Sequence, residues 1–125
     1  MARSKPKGKY RSTFESDVAK QLPKDFEYEP KDKTLSYVVP ETHHNYTCDF
    51  VSKNVYLECK GYWDKDSRDK MNLIKQQHPE LRIIMVFQNP KLKIYKGSKT
   101  TYADWCDKNG IEWCTLTTLK ETLRK

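Results

Sequence analysis

The stretch from Val55 to Phe87 restricts the fold more than any other part of this chain. Its first six residues alternate: Val55, Leu57 and Cys59 fall on one side, Tyr56, Glu58 and Lys60 on the other, as in an extended strand. Gly61 and Trp63 break that strand. Residues 67–77 then read as a helix, with Met71 and Ile74 facing inward and Arg68, Lys70 and Lys75 outward, and Pro79 ends it. Residues 83–87 are an unbroken apolar run with the character of a buried strand. Strand, helix, strand in this order makes the two strands parallel neighbours joined by a right-handed crossover.

The flanking segments extend this unit. Ser12-x-x-Glu15 fits a capping box, and Phe14, Val18 and Leu22 recur at helical spacing before Pro23. Short strands are predicted at 26–29 and 35–39, separated by a turn at 30–33. Residues 41–46, with His43, His44 and Asn45, read as a polar connector. A hairpin follows, from 48–51 through a turn at 52–54 into Val55–Lys60. Beyond the crossover, a strand is predicted at 92–95, a helix at 101–108 closed by Asn109-Gly110, a strand at 111–114 and a last helix at 118–123. The sum is an α/β fold: one domain over 12–125 with a mixed central sheet flanked by helices, after a flexible basic arm at 1–11.

Charge narrows the partners. The chain carries a net +7 and a mean hydropathy of −0.96, so its core is lean and leaves room for core shared in a dimer. A basic chain can simply have a solvated Lys-rich surface. Here the bases gather in acid-free runs: Arg3, Lys5, Lys7, Lys9 and Arg11, then Lys91, Lys93, Lys96 and Lys99. Two such runs favour a footprint on nucleic-acid phosphate. No apolar run is long enough for a membrane span and none follows the basic N-terminus as in a secretory signal, so a soluble intracellular protein is expected. Cys48, Cys59, Cys106 and Cys114 form no C-x-x-C pair, and the three His complete no zinc spacing, so four free thiols are expected. His43-His44-Asn45 superficially suggests an HNH-type site, but no zinc framework accompanies it.

Asp49, Glu58 and Lys60 carry the chemistry. The hairpin turn can bring Asp49 beside the other two, gathering two carboxylates and an ammonium. Glu-x-Lys alone is an ordinary strand-face ion pair, worth roughly 0.2–1 kcal/mol. An Asp inside an apolar strand is costly unless paired or metal-bound. Hard oxygen ligands suit Mg2+ or Mn2+, and a neighbouring Lys can orient water or stabilise a phosphoryl group. The set points to metal-dependent phosphodiester hydrolysis.

Several longer stretches occur in a distinctive order: RSTFESDVAKQL, FEYE, SYVVP, NYTCDF, LECKG, IKQQHPEL and KIYKGSKTTYADWCDKNGI. With these, the chain resembles endonuclease I of T-odd bacteriophages over about residues 11–113. These are Holliday-junction-resolving enzymes with a restriction-endonuclease-like core of the PD-(D/E)xK type. The resemblance implies that Asp49 and Glu58 bind metal, with the main-chain carbonyl of Cys59 completing one shell. It makes Lys60 the motif lysine, Glu15 a further catalytic and metal-supporting acid, and Glu27 an acid of lesser importance. Spacing alone would leave Glu15 as a helix cap worth on the order of 1 kcal/mol. It further implies an intertwined, domain-swapped dimer in which 12–38 exchange onto the partner and 39–47 form the bridge, so that Glu15 completes the partner's site. Cys48 stands where the family has Pro, which shapes the backbone and is not a ligand.

The expectation is therefore a homodimeric, Mg2+-dependent endonuclease, with Mn2+ as substitute, that cuts four-way junctions and other branched DNA in the cytoplasm of an infected bacterium. Lys5, Lys7, Lys9 and Arg11 would contact DNA, with Arg68 and Lys70, although Asp64, Asp66 and Asp69 lie among the latter bases. Trp63, Trp105 and Trp113 are expected to pack in or near the core. A non-catalytic basic binding module and a duplex-cutting nuclease of the same core are the alternatives.

Overall fold

A computed structural model describes residues 9–39 and 42–125. Seven strands and four helices follow one another as α1 (Thr13–Gln21), β1 (Glu27–Tyr28), β2 (Leu35–Val39), β3 (Thr42–Tyr46), β4 (Phe50–Val51), β5 (Val55–Lys60), α2 (Lys65–Gln77), β6 (Arg82–Phe87), α3 (Tyr102–Asn109), β7 (Glu112–Thr115) and α4 (Leu119–Leu123). The main sheet has the order β1-β4-β5-β6-β7. β4 runs antiparallel to both β1 and β5, whereas β5, β6 and β7 are mutually parallel, with Leu57 opposite Ile84 and Val86 opposite Cys114. The expected parallel pair across α2 is present, and α3 makes a second crossover of the same kind.

The alternation along β6 explains its unbroken apolar run. Ile83, Met85 and Phe87 pack with Trp63, Met71, Ile74 and Tyr102 beneath α2 and α3. Ile84 and Val86 face the other way, onto Leu57, Val18 of α1 and Leu119 of α4. A strand covered by helices on both faces has no polar side to show. Trp63 is buried, and Trp105 and Trp113 pack against the same core. All four cysteines are buried free thiols.

Three expectations need correction. Residues 42–46 are not a connector but the strand β3, paired antiparallel with β2 from Leu35–Tyr46 outward to Val39–Thr42. Their side chains gave no apolar signal because His43, His44 and Asn45 are exposed; His44 stacks on Tyr37 and Asn45 accepts from Ser36 across the hairpin. This hairpin docks on α2, where the Gln77 amide both accepts from Val38 N–H and donates to its carbonyl (2.7 and 2.8 Å). Residues 92–95 do not form a sheet strand; one bridge, Lys93 to Thr101, is all that remains of the pairing. Arg68 does not face outward but is buried in the first turns of α2. It lies three residues before Met71, on the stripe that meets the core.

The capping box of α1 is half formed. Ser12 accepts from Glu15 N–H, but the Glu15 carboxylate turns to other donors. The full reciprocal box forms instead at Thr101 and Asp104 of α3, whose C-terminus closes on Gly110 at φ 69°. Among the described residues, no helix is long and apolar enough to cross a membrane.

Candidate active site

The hairpin ladder of β4 and β5 ends at Phe50 opposite Leu57. The next pair would be Asp49 and Glu58, but the chain bends at Asp49 and side chains take over from backbone pairing. Glu58 Oε1 accepts from Asp49 N–H (3.2 Å), and Asp49 Oδ2 accepts from Cys59 N–H (2.8 Å). Each carboxylate thereby fixes the other's strand. Lys60, two residues beyond Glu58 on the same face, sets its Nζ 3.8 Å from Glu58 Oε2. Asp49, Glu58, the Cys59 backbone and Lys60 all line one open cleft.

Glu15 of the same chain lines that cleft too. Its Oε1 accepts from the Tyr28 hydroxyl (2.6 Å) and from Arg11 N–H (3.1 Å). α1 and the edge strand β1 therefore hold an acid over the hairpin, anchored through Glu29 N–H to the Asp49 carbonyl (2.8 Å). Arg11 also lines the cleft, with its guanidinium paired to Glu29 (3.0 Å) and largely exposed. Lys70 completes the basic rim and lies 5.1 Å from the centre of the Tyr46 ring. Lys9 sits over the rings of Tyr10 and Tyr28. Lys5 and Lys7 lie outside the described residues. Glu27 is not brought to the cleft but pairs with Lys33.

Burial makes the two carboxylates hard to ionise. Asp49 is pushed up to about 8, first by burial and then by the charge of Glu58, with the Cys59 N–H acting in the opposite sense. Glu58 is also raised, by burial, against the pull of Lys60. Among the described residues, no three His, Cys, Asp or Glu side chains gather so as to hold an ion by themselves. The donor set nevertheless fits a hard divalent cation. Two buried carboxylates, with Glu15 beside them, offer oxygens to one polar cleft, and a bound cation would favour the ionised forms that burial disfavours. The Cys59 thiol packs in the core below, so only its backbone could contribute.

Sequence reasoning missed Tyr46. Its hydroxyl is buried at the cleft beside Glu58, whose carboxylate it helps to keep ionised, while burial holds the tyrosine's own proton in place. It stands at the end of a strand that the sequence did not reveal.

The family model described as phage endonuclease I matches residues 1–124. The chain belongs to the phage endonuclease I family. Endodeoxyribonuclease 1 of Enterobacteria phage T3 is 46% identical over 104 residues, covering 82% of this chain and 68% of the relative. Endonuclease I of Escherichia phage T7 is 44% identical over 108 residues, covering 85% and 72%. Membership makes this protein an endonuclease.

Proposed function

We propose that this phage-type endonuclease cuts branched DNA, four-way junctions above all, by hydrolysing one phosphodiester per site with Mg2+ or Mn2+ bound. The observation that carries the reading is the buried pair Asp49 and Glu58 beside Lys60. Asp49 and Glu58, with the main-chain carbonyl of Cys59 and with Glu15 alongside, would hold the cation. When bound, the cation supplies a more acidic water and positive charge for the phosphate. Lys60 Nζ orients the attacking water or stabilises charge on the phosphoryl oxygens as one P–O bond forms and the other breaks. Glu58 holds that ammonium at the cleft floor. Selection of branches rests on backbone geometry, with Arg11 and Lys70 at the rim and Lys5, Lys7 and Lys9 of the arm on phosphates.

The working form in this reading is a homodimer in the cytoplasm of an infected bacterium. The β2–β3 hairpin gives it a route to exchange. Opened at its turn, the hairpin becomes the 39–47 bridge, and 12–38 carries Glu15 to the partner with the same contacts it makes in one chain.

A labelled four-way junction incubated with and without Mg2+ tests the reading. Metal-dependent nicking is expected, and Asp49→Ala or Glu58→Ala should abolish it while junction binding survives. Binding without nicking under any metal would favour a non-catalytic module. Equal cutting of linear duplex would favour a duplex nuclease.

A further inference from the structure

Arg68 is buried for a purpose that the active-site cleft does not explain. It is 5% exposed. Its Nη1 donates to the main-chain oxygens of Trp63 (2.8 Å) and Ile94 (3.1 Å), both neutral. Among the described residues, no carboxylate forms an ion pair with it, and its other nitrogens make no hydrogen bond yet are not sealed from solvent. Asp64 interacts with it electrostatically but makes no contact ion pair, so the fork stays open to an anion. The guanidinium fork matches phosphate in particular.

Arg68 lines a second cleft, which it shares with Lys93 and Lys96 of the acid-free run and with Tyr62 and Tyr95. The two rings are unusually open, 79% and 63% exposed. Asp64 also lines this cleft but is engaged as the N-cap of α2, accepting from Ser67 N–H at 2.8 Å. Tyr62 follows Lys60 by two residues, just past the end of β5.

We propose that this second cleft binds one nucleotide of a DNA strand outside the scissile site. Arg68, Lys93 and Lys96 take the phosphodiester, and Tyr62 and Tyr95 take the attached base once it leaves its stack. The inference rests on the reading of this protein as a DNA endonuclease, and it adds a subsite that favours substrates with unpaired or distorted strands.

The full-length protein, titrated in EDTA with a thymidine oligonucleotide and with a four-way junction at several salt concentrations, provides the test. Lys93→Ala with Lys96→Ala should lower the log–log salt slope by roughly 1.5–2. Tyr62→Ala with Tyr95→Ala should weaken binding roughly tenfold to hundredfold at an unchanged slope. Arg68→Lys keeps the charge but loses the fork, and should weaken binding if it folds; the lysine and tyrosine pairs carry the test if it does not. Wild-type slope and affinity in both pairs would overturn the subsite while leaving the nuclease reading intact, provided that the wild type cuts junctions. A wild type that neither binds nor cuts would remove the reading beneath it.

Discussion

Replacing Asp49 by asparagine tests the active site through folding rather than cleavage. Burial and Glu58 push the Asp49 carboxyl from 3.8 up to about 8. The folded protein therefore keeps a proton that the unfolded chain releases. The stability this contributes is complete below about pH 4, declines as pH rises, and is lost once pH passes about 8. At ~1.4 kcal/mol per pH unit across that interval, the ceiling is roughly 6 kcal/mol. Protonating either carboxyl relieves the other, so we expect about 2–3 kcal/mol from Asp49 alone. The amide of the variant stays neutral throughout, and its oxygen can still accept from Cys59 N–H.

The assay is urea unfolding of wild type and Asp49→Asn in EDTA from pH 5 to pH 8.5. The wild type should lose stability relative to the variant as pH rises, by about 1–2 M in the urea midpoint at the upper end. Millimolar Mg2+ should then restore the wild type at high pH and leave the variant unmoved, because a ligand stabilises only the state that binds it. Parallel stability profiles for the two proteins would refute the account of Asp49 as a carboxyl strained by burial. A profile that diverges in EDTA but ignores Mg2+ would keep the burial argument and remove the metal.

Other substitutions probe separate links. Tyr46→Phe removes a buried hydroxyl that favours the ionised form of Glu58, so the loss of metal-free stability as pH rises should be steeper than in the wild type, read by urea unfolding at pH 5 and pH 8.5. Ile84→Ala in the fully buried centre of β6 should cost about 2–5 kcal/mol, measured the same way. Gly110→Ala adds a Cβ that meets nothing within 4 Å, so its cost of about 1 kcal/mol comes from the left-handed backbone alone and should appear as a lower Tm.

The elements that were legible in the sequence are those whose side chains meet the core. β5 and β6 announced themselves through alternation and an unbroken apolar run, and α3 through its caps. β3 was invisible because His43, His44 and Asn45 are polar and exposed, and His44 and Asn45 contact β2 rather than the core. The alternation of Leu92, Lys93, Ile94 and Tyr95 misled in the opposite direction: Ile94 alone turns partly inward, and Gly97 at φ 87° sends the chain back before a ladder can grow. Arg68 was misread because its charge outweighed its position, although its spacing from Met71 already placed it on the buried stripe. At the site, Asp49, Glu58 and Lys60 followed from local geometry. The resemblance marked Glu15 but assigned it to the partner's site, so its place on the cleft of its own chain had no signal in the sequence, and Tyr46 had none either.

The hairpin explains why these carboxylates hold their geometry without a cation. The β4–β5 ladder ends at Phe50 and Leu57, so Asp49 N–H and Cys59 N–H are donors that it does not pair. The bend at Asp49 gives those donors to Glu58 Oε1 and Asp49 Oδ2 instead. Each carboxylate is pinned through one oxygen to main chain. Glu58 Oε2 lies nearest Lys60 Nζ for that reason. The carboxylates are thus oriented by main chain, and the cost falls on protonation rather than on disorder. This is why the site should be detected first in the pH dependence of folding, in a protein that has not yet met its substrate.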